Sequence, residues 1–209
     1  MDGVLVDTEP LHHDAFFRHF AELRLPISDT EYATFLGGST RNIYQRLQQE
    51  YDLRADVEAL VQRKRELFNA SFDEDTALDL LPGVRPLIED LHRAGVPLQL
   101  ASSASKDTIN RVFRRFELYP YFDNLVSGED FPQSKPNPAI FLHAATLAGV
   151  PPQECVVIED SANGVTAAKA AGMTCIGYRS AHSGGQDLHH ADLVVADLGE
   201  LSAERIRGL

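Results

Sequence analysis

Residues 155–178, CVVIEDSANGVTAAKAAGMTCIGY, contain the clearest structural pattern in this chain. The apolar run at 155–158 predicts a buried strand, residues 161–171 predict a helix, and residues 174–178 predict a second strand. Gly172 follows the helix in the position that glycine favours after a helix end. A strand, a helix and a strand in this order are typical of a parallel sheet that is covered on both faces.

The same alternation extends upstream as far as Pro82. Apolar patterns predict strands at 97–101 and 125–126, with helices at about 84–94, 105–116 and 137–147. Residues 4–6 are predicted to be the stub of another strand. Residues 9–80 show only helical patterns, including a capping box at Ser28 and Glu31. The predicted fold class is α/β: a Rossmann-like parallel sheet core of residues 1–8 and 81–209, with an inserted all-helical cap of residues 9–80.

Composition argues against several classes of protein. The 209 residues carry a net charge of −12, whereas a nucleic acid partner needs a concentrated basic surface. No apolar run approaches the roughly 20 residues of a membrane span, and the first residues do not form a signal peptide. We therefore expect a cytoplasmic protein with no membrane partner. Cys155 and Cys175 lie in apolar runs and are expected to be buried and unreactive.

Polar residues follow the predicted strands at four places. They are Asp2, Ser102, Lys135 and the pair Glu159 and Asp160. The carboxyl ends of parallel strands meet at one edge of a sheet, so we expect these side chains to share one crevice. A serine hydroxyl with the N–H groups after it suits a phosphate oxygen, and paired carboxylates suit Mg²⁺. A carboxylate, a metal, a lysine and a hydroxyl around one phosphate indicate phosphoryl transfer.

Each of these residues also has a purely structural interpretation. Asp2 with Gly3 is a common turn, and Ser102 is a suitable N-cap for the next helix. Lys135 is compatible with a solvated surface position. Glu159 and Asp160 are compatible with acids that help to cap the helix after them.

Three segments carry a resemblance to a known family. They are DGVLVDTEPLH at 2–12, SKPNPAIF at 134–141, and VVIEDSANGV at 156–165 with AAKAAGM at 167–173. Together with the serines at 102–103, they resemble the four motifs of the haloacid dehalogenase superfamily, in the order and spacing of that family. The helical insert resembles the small cap of the β-phosphoglucomutase-like sugar phosphatases and mutases.

The resemblance implies a role for each matched residue of the core. Asp2 would be the general acid/base, and its backbone carbonyl would face Mg²⁺. The transferring phosphoryl group would be held by Ser102 and Lys135, assisted by the backbone around Ser103 and Ala104. Asp160, supported by Glu159, would bind the Mg²⁺.

The resemblance also extends to the cap. His12, Arg41 and Lys64 match positions where the mutases contact substrate or close the cap. Alternatively, His12 belongs to an exposed histidine pair, and Arg41 and Lys64 lie on solvated helix faces. We expect the loop from Gly37 to Arg41 to select the substrate by its shape.

One departure from the family pattern concerns the nucleophile. In the family it is an aspartate two positions before the acid/base, which here lies before Met1. A strand of about five apolar residues normally leads to that aspartate. We therefore expect this chain to lack its first core strand, through truncation or a wrongly assigned start, with a natural variant as the alternative, and to be nearly inactive as printed.

The resemblance leaves three functions open. The first is a Mg²⁺-dependent phosphohydrolase that acts on a small phosphorylated metabolite, such as a sugar phosphate, through an aspartyl-phosphate. The second is a β-phosphoglucomutase, which returns the phosphoryl group to another hydroxyl of the sugar. The third is a phosphometabolite-binding protein without catalytic activity. We expect a monomer in each case.

Overall fold

A computed structural model describes residues 1–35, 38–180 and 185–209. The chain forms two compact units. The sheet unit consists of Met1–Asp7 and Asp79–Leu209, and the helical unit consists of Thr8–Leu78. Gly37, which was expected to help select the substrate, lies outside the described residues.

The helical unit is built on helices of which all but the first begin at a side-chain cap. They are α1 (Glu9–Leu23), α2 (Asp29–Ala33), α3 (Thr40–Tyr51) and α4 (Val57–Glu74). The Ser28 hydroxyl accepts the N–H of Glu31, and Ser39 and Asp56 cap α3 and α4 in the same way. The apolar faces of the helices meet in an aromatic-rich core that includes Phe16, Phe20, Tyr44 and Leu47. The helical pattern predicted for this region is confirmed.

The sheet unit alternates helices and strands as the sequence predicted. Its elements are α5 (Val84–Arg93), β1 (Gln99–Ser102), α6 (Lys106–Arg115), β2 (Asn124–Ser127), α7 (Ala139–Ala148), β3 (Val156–Glu159), α8 (Ala162–Ala170), β4 (Thr174–Tyr178), β5 (Leu193–Val195) and α9 (Ala203–Arg207). All strand pairs are parallel. The predicted α/β class with a parallel sheet is therefore confirmed. No described helix is both long and apolar enough to cross a membrane.

The strands form two half-sheets. One has the order β1-β2, with Leu100 opposite Leu125, and the other has the order β3-β4-β5, with Val157 opposite Cys175. Helix α7 packs on β1 and β2, and α8 packs on β3 and β4. The apolar cluster around these elements includes Val126, Phe141 and Val165.

The strand predicted at residues 4–6 is wrong. Residues 3–5 form a turn, in which the Met1 carbonyl accepts the N–H groups of Val4, Leu5 and Val6 at 3.3, 2.7 and 3.3 Å. Gly3 has φ +68°, a backbone conformation that glycine adopts without a steric penalty. The local carbonyl therefore satisfies N–H groups that a strand would have paired across a ladder. Among the described residues, the segment makes only isolated bridges, at Asp2 and Val6.

The environment predicted for Cys155 is also wrong. The strand begins one residue later, at Val156, and Cys155 is only half-buried. It follows a short 3₁₀ turn at Pro152–Glu154 and lines a cavity in the sheet unit. Cys175, in contrast, is fully buried in β4 as expected. Burial raises the pKa of the Cys175 thiol to about 12, which keeps it protonated and unreactive.

Candidate active site

Lys135 joins the carboxyl ends of β1 and β3. Its ammonium donates to the carbonyl of Ala101, at 3.4 Å, and forms an ion pair with the Glu159 carboxylate. The ammonium also lies 4.6 Å from the centre of the Phe141 ring. The Lys135 and Glu159 side chains are only 10% and 9% exposed. The interpretation of Lys135 as a solvated surface lysine is therefore wrong.

The second oxygen of Glu159 is satisfied by the chain that follows it. It accepts the N–H groups of Asp160 and Ser161 at 3.1 and 3.2 Å, and the Ser161 hydroxyl at 3.0 Å. Burial is the strongest single influence and opposes ionisation of Glu159, but the charge and hydrogen bond of Lys135, together with the amino terminus and the Ser161 N–H, lower the pKa of this carboxyl. Glu159 is therefore a buried carboxylate whose oxygens are already engaged. It can orient Lys135 and the Asp160 backbone.

Gly164 in α8 allows Glu159 to lie against this helix. A Cβ at Gly164 would overlap the Glu159 carboxylate. The Ser161 hydroxyl also accepts the Gly164 N–H at 3.1 Å, so Ser161 rather than an acid caps α8. Sequence reasoning did not single out Gly164, although it lies inside the quoted VVIEDSANGV segment.

Of the two carboxylates, Asp160 has fewer nearby groups that offset its negative charge. Burial, reinforced by the Glu159 charge, raises the pKa of Asp160 to about 7. The Asp2 and Gly3 turn packs directly on it, because a Cβ at Gly3 would overlap the Asp160 carboxylate. The structure thus brings the Asp2 segment and Asp160 together, as the strand-end argument predicted. A cation beside Asp160 would relieve the repulsion between the two acids.

Ser102 lies at the end of β1 and is buried, and its hydroxyl holds the turn that follows. This hydroxyl accepts the Ala104 N–H at 3.1 Å, and the Ala104 carbonyl accepts the Ser127 hydroxyl at 2.7 Å. Ser105, not Ser102, caps α6 by accepting the Thr108 N–H. The N-cap interpretation of Ser102 is therefore wrong, and its hydroxyl holds the turn that carries Ser103 and Ala104.

Ser127 is a further polar residue that sequence reasoning missed. It ends β2 directly opposite Ser102. The apolar pair at 125–126, followed directly by a serine, could have indicated that Ser127 ends a strand. Next to it, Gly128 packs against the Ser103 backbone, where a Cβ would lie 3.0 Å from the Ser103 Cα. These contacts fix the loop after β1.

The donor set fits a hard cation with few protein ligands. Mg²⁺ prefers carboxylate and carbonyl oxygens and keeps several waters, so one or two carboxylates are enough to hold it. Asp160 and the Asp2 carbonyl could bind such an ion, with Glu159 holding Asp160 in place. Within residues 1–35, 38–180 and 185–209, no group of three or more His, Cys, Asp or Glu side chains has metal-site spacing.

Lys64 is buried inside the helical unit. It is 3% exposed, and its ammonium donates to Nδ1 of His12. The same ammonium lies 4.6 and 5.0 Å from the ring centres of Phe16 and Phe68. His12 stacks on Phe68 with the ring centres 4.3 Å apart. The solvated interpretation is therefore wrong for Lys64, and these side chains form a cationic cluster with aromatic walls.

Arg41 lies in a different environment from Lys64. Its side chain is 53% exposed, and it forms an ion pair with Glu58, with one guanidinium nitrogen 2.8 Å from Oε2. This contact agrees with the interpretation of Arg41 as a residue on a solvated helix face.

Comparisons with known proteins agree on one family. The family model described as haloacid dehalogenase-like hydrolase matches residues 1–172. A β-phosphoglucomutase of Bacillus subtilis is 32% identical over 212 residues, covering 98% of this chain and 90% of that protein. Hexitol phosphatase B of Escherichia coli is 34% identical over 215 residues, covering 100% of this chain and 94% of that protein.

Solved structures agree with the sequence matches. The crystal structure of CbbY from Rhodobacter sphaeroides in complex with phosphate matches with a TM-score of 0.90 and 28% identity, covering 100% of this chain and 96% of that one. A CbbY mutant from the same organism, in complex with xylulose-(1,5)bisphosphate, matches with a TM-score of 0.87 and 28% identity, covering 96% and 93%.

Proposed function

Because this chain belongs to the haloacid dehalogenase-like hydrolases, we propose that it is a Mg²⁺-dependent phosphohydrolase of small phosphorylated metabolites, specifically sugar phosphates. The observation that carries the proposal is the position of the Lys135 ammonium between the end of β1 and Glu159, next to Asp160. The relatives support the substrate class, since they include a hexitol phosphatase and a phosphorylated carbohydrates phosphatase.

In this proposal, some residues at the strand ends bind the charged phosphoryl group and another transfers protons. Lys135 and the Ser102 hydroxyl hold the phosphoryl oxygens, assisted by the backbone around Ser103 and Ala104. Asp2 protonates the leaving sugar oxygen and then takes a proton from the attacking water. The phosphoryl group is carried between these steps as an aspartyl-phosphate on the residue two positions before Asp2, as the family pattern implies.

The proposal assigns residues that would bind Mg²⁺ and a role for the ion in neutralising charge. Asp160 and the Asp2 carbonyl would hold Mg²⁺, which neutralises phosphoryl charge and orients the group. Glu159 stays ionised beside Lys135 and keeps Asp160 in position through its hydrogen bonds. The assignment of Asp2, Ser102, Lys135, Glu159 and Asp160 to these roles is part of the proposal.

A phosphate-release assay on a panel of sugar phosphates tests the proposal. The printed chain is compared with a form extended upstream by an apolar strand that ends in aspartate, each with Mg²⁺ and with a chelator. We expect Mg²⁺-dependent release from the extended form and little from the printed chain. Equal release from both forms would show that the role given to Asp2 is wrong. No release from either form, with substrate still bound, would favour a binding protein.

A β-phosphoglucomutase is the second candidate, and the buried Lys64 and His12 cluster favours it. A mutase must hold a second phosphate, and a buried ammonium with a histidine partner suits one. Product analysis with glucose 1-phosphate separates the two candidates. Free phosphate indicates the hydrolase, whereas glucose 6-phosphate indicates the mutase. The cytoplasmic location and the monomeric state stay predictions from sequence.

A further inference from the structure

One segment of the sheet unit, from Ser127 to Lys135, contacts the chain on both sides of Ser102. It begins at the last residue of β2. The Lys135 ammonium donates to the carbonyl of Ala101, directly before Ser102, at 3.4 Å. The Ser127 hydroxyl donates to the carbonyl of Ala104, shortly after Ser102, at 2.7 Å. The segment that carries Lys135 therefore also holds the backbone around Ser102.

Ala104 is held through both of its backbone polar groups. Its N–H donates to the Ser102 hydroxyl at 3.1 Å, and its carbonyl accepts the Ser127 hydroxyl. The Ser127 hydroxyl also accepts the Glu129 N–H at 3.2 Å, so it is used both as a donor and as an acceptor. Ser127 is 1% exposed, so water has no access to replace these contacts. The position of the Ser102 oxygen therefore depends on Ser127, through Ala104.

The hydroxyl of Ser102 retains a donor for a ligand. A serine hydroxyl has one O–H donor and two acceptor sites. The Ala104 N–H takes one acceptor site, whereas the Ser102 O–H donates to no acceptor in the described part of the chain. A buried donor of this kind gains free energy when an oxygen of a bound anion accepts it. Because the turn fixes the oxygen atom of Ser102, it also limits the directions in which the O–H can point.

The residues that follow Ser127 hold the rest of the same turn. A Cβ at Gly128 would lie 3.0 Å from the Ser103 Cα, so the absence of a side chain allows the two backbones to approach closely. The Glu129 carboxylate accepts the N–H of Lys106, the first residue of α6, at 2.9 Å. A carboxylate at this end of a helix is stabilised by the helix dipole. The turn after β1 is thus fixed from its first residue to the start of α6.

We propose that Ser127 is a positioning residue for phosphate binding, because it holds the Ser102 hydroxyl in register with the Lys135 ammonium. The inference rests on the proposed function, in which both of these groups bind the phosphoryl oxygens. Ser127 acts through Ala104 and does not contact phosphate, since its hydroxyl is buried and engaged on both sides. Its contribution is to order the turn before the ligand arrives. Groups that are already ordered bind more tightly, since binding then costs less conformational entropy.

Titration of the printed chain with inorganic phosphate in the presence of Mg²⁺, followed by amide chemical shifts, tests the inference. We expect Ser127→Ala to raise the Kd for phosphate about tenfold, the effect of losing about one hydrogen bond. Ser127→Thr keeps a hydroxyl, and its Kd should stay within about threefold of the parent value. The matched control is Ser202→Ala, which removes the cap hydroxyl of α9 in the same unit and should leave the Kd unchanged. Thermal unfolding establishes that each variant is folded.

Two readouts separate positioning from a general loss of stability. The first is a double-mutant cycle with Ser102→Ala. Once the Ser102 hydroxyl is absent, Ser127→Ala should raise the Kd by less than about twofold, since Ser127 acts through that hydroxyl. The second is hydrogen exchange without phosphate, in which the Ala104 N–H should exchange faster in Ser127→Ala while the N–H groups of α7 keep the parental rate. Ser127→Cys keeps the packing but is a weak donor, so it should show the same local change.

The outcomes distinguish the positioning role of Ser127 from the phosphate site itself. Phosphate binding that is weakened by Ser102→Ala but not by Ser127→Ala or Ser127→Cys would overturn the positioning role and leave the proposed site in place. An equal rise in Kd from Ser127→Ala in both backgrounds of the cycle, or faster exchange throughout the sheet unit, would also overturn it. So would a Ser127→Thr variant that binds as weakly as Ser127→Ala. Phosphate that does not bind the parent, or that binds equally well to Ser102→Ala, would refute the proposed function and the inference with it.

Discussion

Replacing Lys135 with methionine tests the buried ion pair at the strand ends. Methionine keeps an unbranched apolar side chain at this position, but it removes the ammonium that contacts the Phe141 ring, and with it the charge. Glu159 then remains buried without its ammonium, beside Asp160. Leaving one partner of a buried pair uncompensated costs about 3–5 kcal/mol. This estimate applies because both side chains are about nine-tenths buried. Coulomb's law gives a similar value, about 4 kcal/mol, for two unit charges about 4 Å apart at an effective dielectric constant of about 20.

The matched control is Lys106→Met. Lys106 forms an ion pair with Asp130 at 2.6 Å, but the two side chains are 61% and 48% exposed. Exposed pairs of this kind contribute at most about 1 kcal/mol. Urea unfolding followed by far-UV circular dichroism measures both variants, since the chain contains no tryptophan. Glu159→Gln in the Lys135→Met background should recover part of the stability, because the amide carries no charge.

The loss of stability caused by Lys135→Met should also depend on pH. In the parent protein the pKa of Glu159 is lowered, so the stabilisation by Lys135 is present above the ordinary range of a glutamate and is lost as pH falls. In Lys135→Met, burial without the ammonium raises this pKa. The buried group then takes up a proton in acid, and the difference between the two proteins should be larger at pH 8 than at pH 5. A loss from Lys135→Met no greater than that from Lys106→Met would show that the Lys135–Glu159 pair is not a buried, uncompensated pair when Lys135 is removed.

Three further predictions follow from other contacts. Gly3→Ala should lower the free energy of unfolding by more than about 2 kcal/mol in thermal unfolding, because φ is positive and the methyl group overlaps Asp160; a loss below 1 kcal/mol would be inconsistent with the turn. Without divalent cations, the raised pKa of Asp160 means that the folded protein holds a proton which the unfolded chain releases. Relative to Asp160→Asn, stability should therefore fall as pH rises from about 4 to about 7, and a rise over this range in urea unfolding would contradict the assignment. In steady-state assays of the strand-extended form, Lys64→Met should raise KM for a sugar phosphate about tenfold or more. Arg41→Met should have a smaller effect because Arg41 is exposed and paired with Glu58; equal effects would show that burial of the cation is irrelevant.

Much of the fold was predictable because it depends on local sequence patterns. The apolar run before Glu159 and the helix ended by Gly172 specify a strand and a helix without knowledge of the rest of the chain. β5 was not predicted, because three apolar residues after a polar segment give too short a pattern. The supposed strand at residues 4–6 failed because nearby backbone groups compete for the same N–H donors, and composition does not report that competition.

Only part of the candidate site was predictable from the sequence. Strand ends locate Ser102 and Asp160, since topology brings such ends together. The burial of Lys64 depends on how α1 packs against α4, which places Phe16 and Phe68 around one ammonium. Spacing along the helix cannot show this, because lysine is usually exposed. The half-buried position of Cys155 likewise depends on a cavity between two half-sheets.

The central claim is that the residues at the strand ends form one phosphoryl-transfer site. The most direct test is phosphate release from a sugar phosphate by the strand-extended form, comparing Asp2 with Asp2→Asn at saturating Mg²⁺. An asparagine keeps the backbone carbonyl and the shape of the side chain but cannot transfer a proton. We expect kcat to drop about 10²–10⁴-fold, the usual contribution of general acid–base catalysis, with the fold retained. An Asp2→Asn variant as active as the parent would contradict the account.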